Sequence, residues 1–229
     1  MNELLFFLHL ILIFGFGLIA LKLGKYYLTT WVAIQAILAN LFVVKQMAFF
    51  HFTITCSDVF AIGSILGLNL LQEYFDREAA KKALWGSFFA MLFFTAMSQI
   101  HLLYTPSVYD TTHNAFHSIL SSSPRLFAAS IFVFIITQHL DIRIFQLLKK
   151  KFHFLPFPLR SGISTTISQF SDTLLFSILG LWGLVFSLWD IICISFLIKL
   201  LIISCLTPLL TLAKRIVPKP ATLNVSKSA

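Results

Sequence analysis

Seven long apolar stretches dominate this chain, at approximately residues 4–21, 28–49, 54–71, 83–104, 125–147, 163–186 and 190–212. A helix needs about 20 predominantly apolar residues to cross a bilayer. Hydrocarbon obliges a spanning backbone to satisfy its own hydrogen bonds, so each stretch is expected to be a helix. A transmembrane β-barrel would alternate apolar and polar residues in short segments, and runs such as LFFLHLILIF and FFAMLFF do not. Composition closes the other routes. With 58% hydrophobic and 11% charged residues, too few polar side chains exist to coat a soluble domain, and too many apolar ones for disorder. The expected fold class is all-α: a polytopic transmembrane helix bundle of about seven spans, with six as the alternative. Residues 1–229 form one integral membrane domain.

Orientation follows from Lys and Arg alone. Lys22 and Lys25 follow the first stretch, and Arg77, Lys81 and Lys82 follow the third. Lys149, Lys150, Lys151 and Arg160 follow the fifth; Lys214, Arg215, Lys219 and Lys227 lie in the tail. These 13 of the 17 basic residues alternate with connections nearly free of positive charge, namely 105–124 and the tight link around Trp189 and Asp190. The pattern fits seven spans with the N-terminus outside, 105–124 as an external loop and 213–229 as a cytoplasmic tail. A net charge of +8 therefore marks one membrane face, and no nucleic-acid partner is expected. The N-terminal stretch lacks a basic leader and a small-residue cleavage site, so residues 1–27 are read as a retained helix.

Within the connections, 72–82 reads as an amphipathic helical extension carrying a Glu78–Lys82 pair. The loop 105–124 holds one short helical turn near 115–120. Its His113 and His117 have a metal-compatible spacing but no third ligand nearby, so neither metal nor cofactor is expected. Cys56, Cys193 and Cys205 are read as small core hydrophobes.

The remaining basic residues are Lys45, Arg125, Arg143 and Lys199. The two arginines lie near the ends of the fifth stretch and can snorkel. Lys199 lies mid-stretch, where an unpaired charge costs about 2.5–3.5 kcal/mol, so it should face a carboxylate or a water-filled cavity. Gln138 precedes Asp141 by three residues, and Gln169 precedes Asp172 likewise, so each pair shares one helix face. Thr165 and Ser168 extend the second face. Asn40 and Lys45 lie in the second stretch, Asp58 in the third and Glu73 at its inner end. Two amide–carboxylate faces with a mid-membrane lysine suit a ligand rich in hydrogen-bond donors. No P-loop, zinc-protease or nucleophile-elbow motif is present, so the chain is expected not to be an enzyme and not to hydrolyse ATP itself.

These residues resemble the vitamin uptake transporter family, whose characterised members are queuosine precursor transporters. The family's Q-x-x-D element is matched by Gln138, Asp141 and Phe145, after the small residues Ala128, Ala129 and Ser130. Its S-x-x-S-D-T-x-x-F element is matched by Ser168, Gln169, Asp172, Thr173 and Phe176. The last-helix lysine and proline fall at Lys199 and Pro208, and the earlier asparagine at Asn40. The acidic element after the third stretch falls at Glu73, Tyr74, Phe75 and Ala79. Asp76 stands where the family commonly has Gly, and Leu68-Asn69 replaces a Thr-Asp pair.

The resemblance implies uptake of 7-deazaguanine compounds (the 7-cyano and 7-aminomethyl precursors, or queuine) across the bacterial inner membrane. A carboxylate takes the paired N–H donors of such a base bidentately. The expectation is that Asp172 or Asp141 reads the base edge, with Gln169, Gln138 and Asn40 completing the hydrogen bonds. Lys199 would keep the carboxylates charged when the site is empty; Glu73, Lys45, Thr165 and Ser168 are secondary candidates. Transport by facilitated diffusion or by symport with a proton or cation fits a chain without an ATPase motif. The rival readings are a substrate-binding subunit served by an ATPase module and an intramembrane lipid-modifying enzyme.

Overall fold

The computed structural model describes residues 2–42, 45–49, 52–55, 57–121, 124–182 and 188–216. The described residues form eight α-helices and one hairpin: α1 (Asn2–Leu23), α2 (Lys25–Leu41), β1 (Gln46–Phe49), β2 (Phe52–Thr55), α3 (Ser57–Tyr74), α4 (Arg77–Leu102), α5 (His113–Leu120), α6 (Pro124–Lys151), α7 (Phe157–Phe176) and α8 (Leu188–Ile216). A π-helical turn, Ser177–Leu181, extends α7.

Three helical segments, Asn2–Leu23, Arg77–Leu102 and Ala128–Lys151, are by length and composition able to cross a membrane. Their exposed faces are apolar: Leu4, Phe7, Ile11 and Phe16 on α1, and Trp85, Phe89 and Phe93 on α4. Such a surface is suited to lipid rather than water. By contrast, α3 and α7 carry polar residues inward, which lowers their overall hydropathy.

The middle of the bundle belongs to α3. From Ile62 to Tyr74 every residue is buried, the signature of a helix enclosed on all sides, and it packs on α1, α2, α4, α6, α7 and α8. Gly67 is what lets α2 approach, since a Cβ there would collide with Val32 and lie 2.9 Å from the Trp31 ring. Where α7 meets α8, a Cβ on Gly162 would come within 3.1 Å of Thr207. Gly24 joins α1 to α2 at φ 116°, a backbone conformation strained for any residue with a side chain.

Several expectations need correcting. The second and third apolar stretches are not helical throughout, because α2 ends at Leu41 and an antiparallel hairpin intervenes, pairing Gln46 with Thr55 and Phe49 with Phe52. Its sequence, rich in aromatic and β-branched residues, favours strand. Phe49 packs 4.8 Å from Phe6, and the Asn2 side chain donates to the Ala48 carbonyl at 2.8 Å. The hairpin is thus held against the start of α1. Lys45 lies outside any helix and is exposed.

The segment 72–82 is likewise not one helical extension. It breaks after Tyr74, and Asp76 caps α4 by accepting the Ala79 N–H at 2.6 Å. Glu78 pairs with Lys81 at 2.8 Å, not with Lys82. Trp189 lies inside the first turn of α8 rather than in a link. Cys193 is exposed on α8 rather than buried, while Cys205 is half-buried and Cys56 lies outside the described residues. The Arg125 side chain and most of the tail fall outside them too. The loop 105–124 does carry the expected short helix, α5, which buries none of its residues. Among the described residues no group of three His, Cys, Asp or Glu could hold a metal.

Candidate transport site

Opposed polar faces of α3 and α7 form a column through the bundle, with α6 and α8 closing its sides. The two helices run antiparallel: Asp58 and Asp172 meet the same lysine at one end, and Glu73 meets Arg160 at the other. Helical rise puts Asp58 and Glu73 about 22 Å apart along α3, and Arg160 and Asp172 about 18 Å apart along α7.

At the hairpin end, Lys199 reaches across from α8. Its Nζ lies 2.6 Å from Asp172 Oδ2 and 3.7 Å from Asp58 Oδ1. The lysine is buried, while Asp172 keeps 24% of its side chain exposed. Lys199 therefore has the carboxylate its position demanded, and a second one besides.

At the opposite end, Glu73 is held by Arg160 Nη2 at 3.3 Å and Lys149 Nζ at 3.3 Å. The guanidinium of Arg160 lies over the Phe145 ring, 5.9 Å from its centroid, and Phe145 packs edge-on to Phe157. Both rings are fully buried.

Between the ends lies a level of neutral polar groups around one carboxyl. Asn69 donates to the Ser161 hydroxyl at 3.0 Å and to Thr165 at 3.3 Å. Gln72 donates to Asn69 at 3.5 Å and accepts from Gln146 at 3.1 Å. The Ser168 hydroxyl stands 3.1 Å from Asp141 Oδ1. Asp141 is fully buried, and its Oδ2 has no hydrogen-bond partner. The same holds for the carbonyl oxygens of Gln138 and Gln169. An unpartnered buried acceptor carries a desolvation penalty of about 1–3 kcal/mol, and here three such acceptors lie on two adjacent helices. The step from Ser168 to Asp172 along α7 is about 6 Å.

The structure thus brings Gln138, Asp141, Thr165, Ser168, Gln169, Asp172 and Lys199 onto one column and sets Glu73 at its far end. It leaves two candidates out. Asn40 is spent elsewhere, donating to Ala36 O at 3.0 Å and accepting from the Ser130 hydroxyl at 2.7 Å. Ser130 lies about 12 Å from Gln138 along α6. Lys45 lies beyond the end of α2. Asp58, noted in the sequence as an acid of the third stretch, meets Lys199, while three participants were not singled out there: Asn69 and Gln72 at the middle level, and Arg160 on Glu73. Asn69 follows Asp58 by eleven residues, three full helical turns, so periodicity alone placed them on one face.

Residues 55–213 match the family described as "Putative vitamin uptake transporter". This span runs from the end of the hairpin through most of α8 and so contains the whole column. A "Probable queuosine precursor transporter" from Bacillus subtilis (strain 168) is 31% identical over 201 residues, covering 85% of this chain and 86% of that protein. No solved structure matches. Both descriptions are of transporters and not of enzymes, in keeping with the lipid-suited surface. The chain belongs to the vitamin uptake transporter family, and is a membrane transporter.

Proposed function

We propose that the chain imports queuosine precursors, 7-cyano-7-deazaguanine, 7-aminomethyl-7-deazaguanine or queuine, across the bacterial cytoplasmic membrane. It does so as a single domain of seven spans, with the hairpin end of the column outside and the Glu73 end inside. The similarity to the Bacillus relative supplies the substrate class. The observation that carries the site is the sharing of Lys199 by two carboxylates.

Lys199 touches only Oδ2 of the half-open Asp172, and Asp58 waits 3.7 Å from the same ammonium. A guanine-like edge presents two adjacent N–H donors, which a carboxylate accepts bidentately. When such an edge docks on Asp172, Lys199 keeps a counter-ion by shifting toward Asp58, and no buried charge is stranded. Gln138 and Gln169 supply further acceptors one turn deeper. A cationic aminomethyl group is accommodated by the surplus carboxylate of the same cluster.

Cells that cannot make the deazaguanine precursor test this reading. Expressing the chain and supplying precursor should restore queuosine in tRNA; Asp172→Ala should abolish the restoration while the protein still inserts in the membrane. Undiminished restoration by that variant would remove the site. Restoration that needs an added ATPase module would identify a substrate-binding subunit instead.

A further inference from the structure

Asp141 differs from the other acids in the column, because among the described residues no cation meets it. The nearest charged groups on the elements around it are engaged elsewhere or lie at helix ends. Arg160 of α7 and Lys149 of α6 are on Glu73 of α3. Lys199 of α8 is on Asp172 of α7 and Asp58 of α3. On α6 itself, Arg143 is exposed and a ring nitrogen of His139 lies 2.9 Å from the Ile135 carbonyl. On α4, Arg77, Glu78, Lys81 and Lys82 occupy the first turns and His101 the last; Tyr74 ends α3. An ionised Asp141 would be a charge without a counter-ion at membrane depth, a strongly disfavoured state.

The side chains that meet Asp141 are neutral ones, Ser164, Ser168 and Asn69, and the contact with Ser168 points the same way. Ser168 has a single hydroxyl proton, and its Oγ lies 2.8 Å from the Ser164 carbonyl, 3.1 Å from that of Thr165 and 3.1 Å from Asp141 Oδ1. A serine within a helix characteristically gives its proton to the carbonyl one turn back. The Ser168 oxygen then has only lone pairs for Asp141, and that contact is a hydrogen bond only when the carboxyl donates. On arrival of a base, that one O–H can turn from Ser168 to the ring carbonyl. Gln138 and Gln169 carry buried carbonyl oxygens without a hydrogen-bond partner, which suit the N–H groups of the same base.

We infer that Asp141 is the proton carrier of a proton–base symport. This inference rests on the transport reading above and adds the coupling ion to it. Asp141 takes one proton from the outer water onto a carboxylate oxygen and binds the base as the neutral acid. It releases the same proton to the inner water as the base departs, and the base itself crosses unchanged.

The test uses the purified full-length chain in proteoliposomes with radiolabelled 7-cyano-7-deazaguanine, an uncharged probe. With acid outside, label should accumulate above equilibrium by about tenfold per pH unit, the value for one proton per base, and a protonophore should erase the gain. Asp141→Asn keeps a donor and an acceptor but has no proton to lose, so any uptake it retains should ignore the gradient. The inference is overturned if the wild type exchanges internal for external base yet ignores the pH gradient. It is equally overturned if a sodium gradient alone drives accumulation, or if the Asn variant still follows pH. These arms separate the two readings: loss of exchange by the wild type itself would overturn the transport reading and this inference with it. The wild-type arms decide the matter should the variant fail to fold.

Discussion

The two ends of the polar column are built from the same chemistry in opposite proportion. At the hairpin end two carboxylates share one lysine, and at the other end two cations share one carboxylate. The first cluster has a spare acceptor and a half-open member, so its ion pair can be exchanged without loss. In the second, Glu73 is buried and Arg160 is clamped over Phe145. Among the described residues Arg160 meets one carboxylate, and ring packing fixes where it sits. We read the first as a site and the second as a clasp, and the difference is open to experiment.

The largest effect is expected from breaking the clasp on one side. Glu73→Ala leaves Arg160 buried without an anion, a change that destabilises by about 3–5 kcal/mol. Thermal unfolding in detergent should register it as a large drop in midpoint. Replacing both partners, as in Glu73→Gln with Arg160→Met, removes the buried charge along with its counter-ion and should recover most of the stability. If the pair is purely a clasp, precursor uptake returns with it. Stability recovered without uptake would show that this end, too, handles substrate.

The matching change at the hairpin end should behave differently. Asp172→Asn and Asp58→Asn with Lys199→Met leaves a folded protein, since the lysine and both of its carboxylates lose their charge together. Uptake should nevertheless fall by more than about tenfold, equivalent to at least about 1.4 kcal/mol of lost interaction. An uptake rate near wild type would erase the distinction between the two ends.

How much of this contrast could be read from the sequence depends on residue type. Lys199 announced itself because an unpaired lysine at mid-membrane is costly, and the Gln138–Asp141 and Gln169–Asp172 faces followed from a spacing of three. Arg160 did not, because it sits beside Lys149–Lys151 and looks like one more charge setting orientation. Only packing against Phe145 and Glu73 reveals it as buried. Asp58 lies near the start of an apolar stretch, where the hairpin was not foreseen, so its depth relative to Lys199 was not legible. Asn40 was the reverse case: a polar residue inside an apolar stretch that is consumed locally by Ser130 and the Ala36 carbonyl.

Between the two ends, Asn69 tests whether the middle level belongs to the site or to the clasp. It ties α3 to Ser161 and Thr165 of α7 and relays to Gln72, near Glu73. Asn69→Ala leaves those groups unsatisfied and should cost about 1–3 kcal/mol in unfolding measurements. If the middle level supports the site through position alone, the affinity for precursor weakens while the response to a pH gradient persists. A variant with unchanged affinity would assign Asn69 to the clasp.

The smallest expected effect lies just beyond the clasp, at the turn that joins α3 to α4. Asp76 stands outside the column, and its carboxylate accepts the Ala79 N–H at 2.6 Å. Asp76→Ala removes an N-cap, usually worth about 1 kcal/mol, whereas Asp76→Gly loses only part of that, because glycine is itself a tolerated cap. Both variants should insert and transport at close to the wild-type rate, with the alanine form unfolding at the lower temperature. The cap acts on the first turn of α4, where Ala79, Ala80 and Ala83 are buried, and touches neither ion cluster. A loss of transport larger than the loss of stability would therefore mean that this corner moves during the cycle, and that the clasp is a working part rather than a fixed one.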